Sequence, residues 1–183
     1  MTIDYDKLMN WPFEETRQTI SPKDVMLYAL GVGIGADPVD ENQLRFVYEK
    51  DLAALPSMAS VLGYPGNWLR NPDSGVNYLK LVNAGNAFTI HNPIPVEGTL
   101  VGQAKVESII DKGEGRGALI SSTRDVVHEE TDSLICTIRA STYCRADGGF
   151  GGPSGPAAPP HVIPDSVPDL TCELSTLPQS ALI

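Results

Sequence analysis

Cysteine pairs, long apolar runs and metal-ligating clusters are missing from this sequence, and each absence excludes a class of protein. The three cysteines, Cys136, Cys144 and Cys172, contain no C-x-x-C, so neither a disulfide framework nor a cysteine zinc site is predicted. No stretch reaches 18 consecutive apolar residues, which argues against a membrane-spanning helix. No histidine stands at a metal spacing from another histidine or a cysteine, and no G-x-S-x-G occurs. We therefore expect no metal site and no serine hydrolase.

Positive charge is scarce as well. The chain has 13 Lys and Arg against 23 Asp and Glu, a net charge of −10 at pH 7. Such a surface repels nucleic acids and anionic membranes, so we expect neither as a partner. The first residues, MTIDYDKLMN, lack the basic and then apolar layout of a signal peptide. Together with the unpaired thiols, this predicts a cytoplasmic protein, and no cofactor motif is expected to be functional.

The composition predicts one globular domain followed by a tail. The chain has 183 residues, of which 42% are hydrophobic, enough for an ordinary core. Between Gly148 and Pro168 stand six prolines and five glycines, a linker composition that disfavours both helix and sheet. We place the domain at residues 1–152 and the tail at residues 153–183. His161 falls in this linker and is expected to be solvated.

A helix is predicted directly after Ser21. Ser21 can cap it, Pro22 suits its first position, and Asp24 lies near the positive end of the helix dipole. GVGIGA then satisfies G-x-G-x-x-A, the dinucleotide pattern, but that pattern opens a helix after a strand, whereas here the glycines follow a helix. We expect a helix-ending loop rather than a nucleotide cradle.

The remaining segments predict a mainly antiparallel sheet. Alternation in LRFVYE predicts a strand, DLAALPSMASVLG is ambiguous, VNYLKLVNAG could hold a short helical turn, and NAFTIHNPIP is extended. TLVGQAKVESII, ALISSTRDVVH and SLICTIRASTYCRA alternate over longer stretches and are joined by short links. They predict a three-stranded meander, with Cys136 and Cys144 as core thiols on one face.

Two further groups of residues could carry chemistry. Lys112 and Arg116 lie in the glycine-rich link DKGEGRG, which is either a flexible hairpin with solvated charges or a phosphate-docking loop. Asp125 and His128 are close in sequence, but their odd separation points them to opposite faces of a strand. His91, beside Asn92-Pro93, is expected to be structural.

Five segments, taken in order, carry a family resemblance: DVMLYALGVGIG, LRFVYEKDLAALPSMASVLG, LVNAGNAFTIHNPIPVEGTL, VESIIDKGEGRG and CRADGGFGG. They resemble the N-terminal half of enoyl-CoA hydratase 2, the hydratase part of peroxisomal multifunctional enzyme type 2, within the MaoC-like dehydratases. The likeness runs from about Ser21 to Gly152. It implies an α+β hot dog fold, a curved antiparallel sheet around a partly eroded helix. This would be the first half of a double hot dog, with residues 153–183 as the linker and the start of the second half.

The resemblance transfers few site residues. A family His-Gly pair that contacts acyl-CoA matches Asn83 and Ala84, so the histidine is replaced, which puts that contact in doubt. A ligand-binding lysine matches Lys112 and is retained, which favours a functional loop. The family's Gly-Asp-x-Asn-Pro-Leu-His run, which carries the catalytic residues, is absent from this sequence. We therefore assign no catalytic residue and take Asn83, Ala84 and Lys112 as substrate-binding candidates.

The expected function is that of a non-catalytic, substrate-binding half of an (R)-specific 2-enoyl-CoA hydratase. The catalytic Asp and His would lie on a C-terminal half of a longer chain or on a partner, and this chain alone is expected to be inactive. The alternative is an acyl-CoA-binding or scaffold subunit without activity, which the replacement at Asn83 favours mildly. In either case we expect an acyl-CoA thioester ligand and a second hot dog half, or a homo- or heterodimer partner.

Overall fold

The computed structural model describes residues 3–155 and 162–173; residues 156–161 of the predicted linker, which include His161, lie outside this part. The helices are α1 (Tyr5–Met9), α2 (Pro22–Gly31) and α3 (Glu41–Val47), followed by short 3-10 helices at Pro56–Val61, Trp68–Arg70, Pro72–Ser74 and Tyr78–Lys80. The strands are β1 (Thr16–Ile20), β2 (Leu81–Ile90), β3 (Gly98–Asp111), β4 (Ala118–His128) and β5 (Ser133–Cys144). None of the described helices has the length and apolarity needed to cross a bilayer.

One antiparallel sheet organises the molecule. The strand order is β1-β3-β4-β5-β2, so the meander β3-β4-β5 forms its centre, as the sequence predicted. β1 pairs with β3 at one edge, and β2 pairs with β5 at the other. The predicted short helical turn is confirmed at Tyr78–Lys80, but the chain becomes extended directly after it, at Leu81.

The helix predicted after Ser21 is confirmed as α2. The Asp24 carboxylate accepts hydrogen bonds from the backbone N–H of Ser21 at 2.9 Å and from its hydroxyl at 2.6 Å. These bonds lower the pKa of Asp24, because they favour its charged form. After α2, the N–H of Gly33 bonds to the carbonyl of Leu30, so the glycines end the helix and open no other. The helix-ending interpretation of GVGIGA is confirmed.

The strand predicted for LRFVYE is wrong, because Glu41–Val47 forms α3. Asp40 caps this helix by accepting from the N–H of Asn42 at 2.9 Å and from the side chain of Gln43. Leu44 and Val47, three residues apart, are half-buried on one side of the helix. The apparent alternation was too short to distinguish a period of two from a helical period, and the cap at Asp40 was the missed signal.

Two apolar clusters lie on the core face of the sheet, the face that carries Ile120 and Val126. The helix-side cluster surrounds the 3-10 helix Pro56–Val61 and contains Ile20, Val25, Met58, Ala59, Leu62, Ile94, Leu100, Val126, Ile135, Cys136 and Ile138. The hairpin-side cluster lies toward the β3–β4 link and contains Ile3, Leu8, Leu69, Val76, Val106, Ile109, Ala118, Ile120 and Cys144. A six-residue helix thus takes the place of a long central one in the helix-side cluster.

A close backbone contact fixes the segment that follows this 3-10 helix. Gly63 donates its N–H to the side chain of Gln18 at 2.8 Å, and its carbonyl accepts from the hydroxyl of Thr16 at 3.3 Å. A β-carbon at Gly102 of β3 would stand 2.5 Å from the carbonyl oxygen of Gly63 and 2.8 Å from its Cα. Glycine is therefore required at Gly102 because two backbones meet there.

We expect Gly102→Ala to lower the free energy of unfolding by about 2 kcal/mol, because the added methyl group must push these backbones apart. Gly85→Ala, in the same sheet, is the matched control, since a β-carbon there meets nothing within 4 Å. Urea denaturation of both variants measures the difference. Equal stability of the two would contradict the contact described here.

Candidate functional site

One end of the sheet gathers positive charge in an otherwise acidic protein. The pairing register aligns Asp111, Ala118, Cys144 and Leu81 as neighbours across β3, β4, β5 and β2. Residues next to this row therefore lie at the same end of the sheet. They include four cations, which we call the basic end: Lys80, Lys112, Arg116 and Arg145.

The cations of the basic end make no ion pair within the described residues, whose salt bridges involve other side chains. Lys80, Arg116 and Arg145 are exposed and Lys112 is half-buried. Beside Lys80 and Arg145, a cavity of about 350 Å³ opens between Leu79 and Val82. The one exposed carboxylate of the adjoining hairpin is Glu114 at its tip. The arrangement can attract an anionic ligand.

A buried carboxylate holds this end of the sheet together. Asp111 is 7% exposed and accepts the backbone N–H groups of Gly113 at 2.8 Å, Gly149 at 2.7 Å and Gly151 at 2.9 Å. Its own N–H donates to the carbonyl of Pro153 at 2.8 Å. Asp111 thereby joins the hairpin that carries Lys112 to the GGFGG loop after β5.

These bonds set the charge state of Asp111. The N–H of Gly149 contributes most, and those of Gly113, Gly151 and Gly152 add to it, so the pKa of Asp111 falls below its usual 3.8 although burial opposes the shift. The carboxylate is therefore ionised throughout the physiological range. The glycines GGFGG supply N–H groups at positions where φ is positive, at Gly149 and Gly151.

Asn83 and Ala84 lie on the edge strand β2, away from Lys112. The pairing of β2 with β5 shifts between Asn83 and Gly85, which makes Ala84 the extra residue of a β-bulge. The Asn83 side chain accepts from the N–H of Gly85 at 3.0 Å, and both Asn83 and Ala84 are exposed. Three strand spacings separate β2 from β3, about 14 Å. The three candidates therefore share one end of the sheet without touching.

The histidines of the described residues form no direct pair with a carboxylate. Thr137 donates its hydroxyl proton to the Asp125 carboxylate at 2.6 Å, and Nε2 of His91 lies 3.1 Å from the Thr137 hydroxyl oxygen. Since the threonine proton is used, His91 must donate to Thr137. His128 stands on the opposite face of β4 from Asp125, and its Nδ1 is buried without a partner. No group of three potential metal ligands occurs in the described ranges.

The two cysteines of the sheet, Cys136 and Cys144, are not poised for reaction. Burial raises the pKa of Cys136 to about 11 and that of Cys144 to about 12, so both remain neutral thiols. Both lie buried on the core face, as predicted, while Cys172 is exposed. The two buried thiols act as small apolar side chains.

Comparison with known proteins identifies the family. The family profile described as the MFE-2 hydratase 2 N-terminal domain matches residues 19–146. The chain belongs to this family. It is similar to a Dictyostelium discoideum protein named probable enoyl-CoA hydratase 2, at 31% identity over 100% of this chain and 62% of that protein. It is similar at 29% identity to the peroxisomal enoyl-CoA hydratase 2 of Arabidopsis thaliana, over 97% and 62% of the two chains.

A solved structure confirms the fold class. The MaoC-like dehydratase of Phytophthora capsici superposes with a TM-score of 0.75 at 25% identity, covering 97% of this chain and 61% of that one. The curved antiparallel sheet of the hot dog fold, inferred from the family resemblance, is therefore confirmed. The chain spans 62% of the length of the curated relatives described above.

Lys80 and Arg145 were not found by sequence reasoning. They are 65 positions apart, and only the pairing of Leu81 with Cys144 brings them together, where the N–H of Arg145 donates to the carbonyl of Lys80 at 3.1 Å. No local motif marks either residue. Finding them from the sequence would have required knowledge of the register between β2 and β5.

We expect Asp111→Asn to lower the free energy of unfolding at pH 7 by about 3 kcal/mol, because charge-assisted bonds to three amides are lost. Because the pKa of Asp111 is lower in the folded than in the unfolded protein, its ionised carboxylate stabilises the fold at pH values above the unfolded-state pKa. This stabilisation is lost as the pH falls through the folded-state pKa. The difference between wild type and variant should therefore shrink below pH 3.8. Denaturation between pH 2.5 and 7 measures it. The control is Asp169→Asn, which removes an exposed carboxyl outside the sheet and should change the free energy of unfolding little. A stability difference for Asp111→Asn that does not depend on pH would refute the explanation.

Proposed function

We propose that this chain is the substrate-binding half of an (R)-specific 2-enoyl-CoA hydratase, which adds water reversibly to trans-2-enoyl-CoA. The observation that carries the proposal is the unpaired basic end of the sheet in a chain of net charge −10. Membership of the hydratase 2 N-terminal domain family supports it independently. The ligand is the acyl-CoA thioester, and no metal or organic cofactor is involved.

The basic end suits the phosphates of coenzyme A. Lys112 is held by a backbone bond from its N–H to the carbonyl of Gly117 at 3.0 Å, and the next residue, Gly113, donates its N–H to the Asp111 carboxylate. Lys80 and Arg145 lie across the sheet and could meet the same ligand through its other phosphates. A multiply charged anion gains from several cations that have no other partner.

The acyl chain would lie on the core side of the sheet, beside the short 3-10 helix Pro56–Val61. Water addition requires a base near the β-carbon and donors for the oxyanion that forms on the thioester. The described residues offer no direct Asp–His pair for this purpose. We therefore place the catalytic Asp and His on a C-terminal hot dog half or on a partner chain.

The second half would dock against β2. This strand has ten residues, pairs with β5 alone among the described strands, and is exposed from Val82 to Thr89. Phe88 is 42% exposed and Val82 is 45% exposed on it. A long edge strand with exposed apolar side chains invites pairing with another sheet. The docking partner would be the rest of a longer chain, a separate subunit or a second copy.

We expect Lys112→Ala to weaken binding of octanoyl-CoA about tenfold, because one unpaired cation of the basic end is removed, while binding of octanoate without coenzyme A is unaffected. Lys105→Ala removes one charge from the exposed middle of β3 and serves as the matched control. Isothermal titration at low and high salt measures both. Equal affinities for the two variants would exclude Lys112 from the ligand site.

We expect no hydration of trans-2-octenoyl-CoA by this chain alone, and turnover after addition of a polypeptide that carries the C-terminal hot dog half. The absorbance of the conjugated thioester follows the reaction. Turnover by the chain alone would overturn the division of roles. Binding without turnover, even with the second half present, would favour an acyl-CoA-binding or scaffold subunit. The exposed Asn83, whose side chain is already bonded to Gly85, speaks for that second candidate.

The cellular compartment stays a prediction. The sequence predicts a cytoplasmic protein, whereas the Arabidopsis relative is named as peroxisomal. The chemistry proposed here is compatible with either compartment, because it needs neither a membrane nor an oxidising environment.

A further inference from the structure

Two apolar side chains lie in solvent beside the cations of the basic end. On the 3-10 helix Tyr78–Lys80, Tyr78 is 43% exposed and Leu79 is 77% exposed. The same helix carries Lys80 as its last residue and continues directly into β2. A single exposed apolar residue needs no explanation, but here two of them adjoin cations that have no ion pair within the described residues. This combination suits a ligand that has both a flat ring and negative charge.

Two adjoining cavities open at this place, and Leu79 lies in the wall of both. The first is the cavity of about 350 Å³ beside Lys80 and Arg145. The second, which we call the ring cavity, also has about 350 Å³, and its wall includes Val76, Tyr78 and Leu79. Both volumes lie within the range of small-molecule sites, about 300 to 1,000 Å³. One cavity is therefore bordered by cations, and its neighbour mainly by uncharged side chains.

Hydrogen bonds hold the two sides of the ring cavity together. Oδ1 of Asp147 accepts the backbone N–H of Asn77 at 3.1 Å, and the N–H of Asp147 donates to the carbonyl of Cys144 at 3.3 Å. The chain that leads into β2 is thereby joined to the chain that leaves β5. The bond from the N–H of Arg145 to the carbonyl of Lys80 lies beside this link. The walls of the ring cavity are therefore fixed by the protein itself.

A neighbouring guanidinium holds the ring of Tyr78. The Cζ of Arg70 lies 5.6 Å from the centroid of this ring, within the range of a cation–π contact. Arg70 is exposed and belongs to none of the ion pairs in the described ranges. Since Tyr78 also lines the ring cavity and remains partly exposed, it offers a platform on which a flat ligand group can stack.

We propose that the ring cavity binds the adenine base of the coenzyme A ester, stacked on Tyr78, while Lys80 and Arg145 bind phosphate in the adjoining cavity. The inference rests on the proposed function, since coenzyme A supplies the base. Because the two cavities share Leu79, a base and the phosphates of the same nucleotide can occupy them together. Recognition by stacking and by charge requires no particular hydrogen bond to the base, so the ring and the cations carry the affinity.

The test compares two esters that differ only in the nucleotide, octanoyl-CoA and octanoyl-4′-phosphopantetheine. Isothermal titration of the full chain should show octanoyl-CoA binding at least about tenfold more tightly. Tyr78→Ala should weaken octanoyl-CoA about tenfold, because the stacking surface is lost, and leave the phosphopantetheine ester unchanged. Tyr78→Phe keeps the ring and should bind like the wild type. The matched control is Tyr48→Ala, which removes a tyrosine that is 54% exposed at the end of α3 and should change neither affinity.

The possible results separate the adenine site from the proposed function. Equal binding of the two esters by the wild type, or an equal effect of Tyr78→Ala on both, overturns the adenine site while the proposed function stands. Failure of both esters and of coenzyme A to bind overturns the proposed function itself. If Tyr78→Ala does not fold, photolabelling of the wild type with the 8-azidoadenine analogue of coenzyme A decides. The label should fall on residues 75–79 or 146–147, and labelling elsewhere or none at all overturns the site.

Discussion

The hydrogen bonds from backbone amides to the Asp111 carboxylate are the interaction on which the basic end of the sheet depends. The carboxylate receives three backbone amides from two loops that are nearly 40 residues apart in sequence, and no other side chain of the described residues joins the β3–β4 hairpin to the GGFGG loop in this way. Because the acceptor is charged and buried, each bond is stronger than a neutral one, and losing the acceptor would leave three donors without partners. Lys112 follows Asp111 directly in the chain, so these hydrogen bonds also fix the position of its backbone.

The parts of the fold that the sequence predicted are those with a strong local signal. The capped helix after Ser21 and the three long strands of the meander each carry a cap or a sustained alternation. The errors lie where the signal was short. LRFVYE alternates for only six residues, and its decisive feature was the cap at Asp40. In β3 the register shifts between Val106 and Ser108, so that Val106 and Ile109 are both buried despite their odd separation. A bulge of this kind has no reliable signature in a single sequence.

The candidate site shows the same division. Lys112 and Arg116 were found because they share a glycine-rich link, whereas Lys80 and Arg145 required the pairing of β2 with β5. Arg124 illustrates a further limit. In the sequence, Arg124 occupies a core-facing position of β4, two residues before Val126, where the alternating pattern predicts an apolar residue. Nothing in the sequence indicates whether a carboxylate faces it. Only the structure shows that its sequence neighbour Asp125 points away.

Three separate features of the described residues have one property in common. Each leaves hydrogen-bonding or charged groups without a partner in the protein. The edge of β2 presents unpaired backbone, the basic end presents cations without carboxylates, and Arg124 presents a buried guanidinium with spare donors. A folded chain tolerates such groups when something that binds only the folded state satisfies them, because that binding adds to the stability of the fold. The partner half and the ligand proposed here would each satisfy a different one of these features. Their binding should therefore be coupled to folding, so that the chain gains stability from each of them in addition to function.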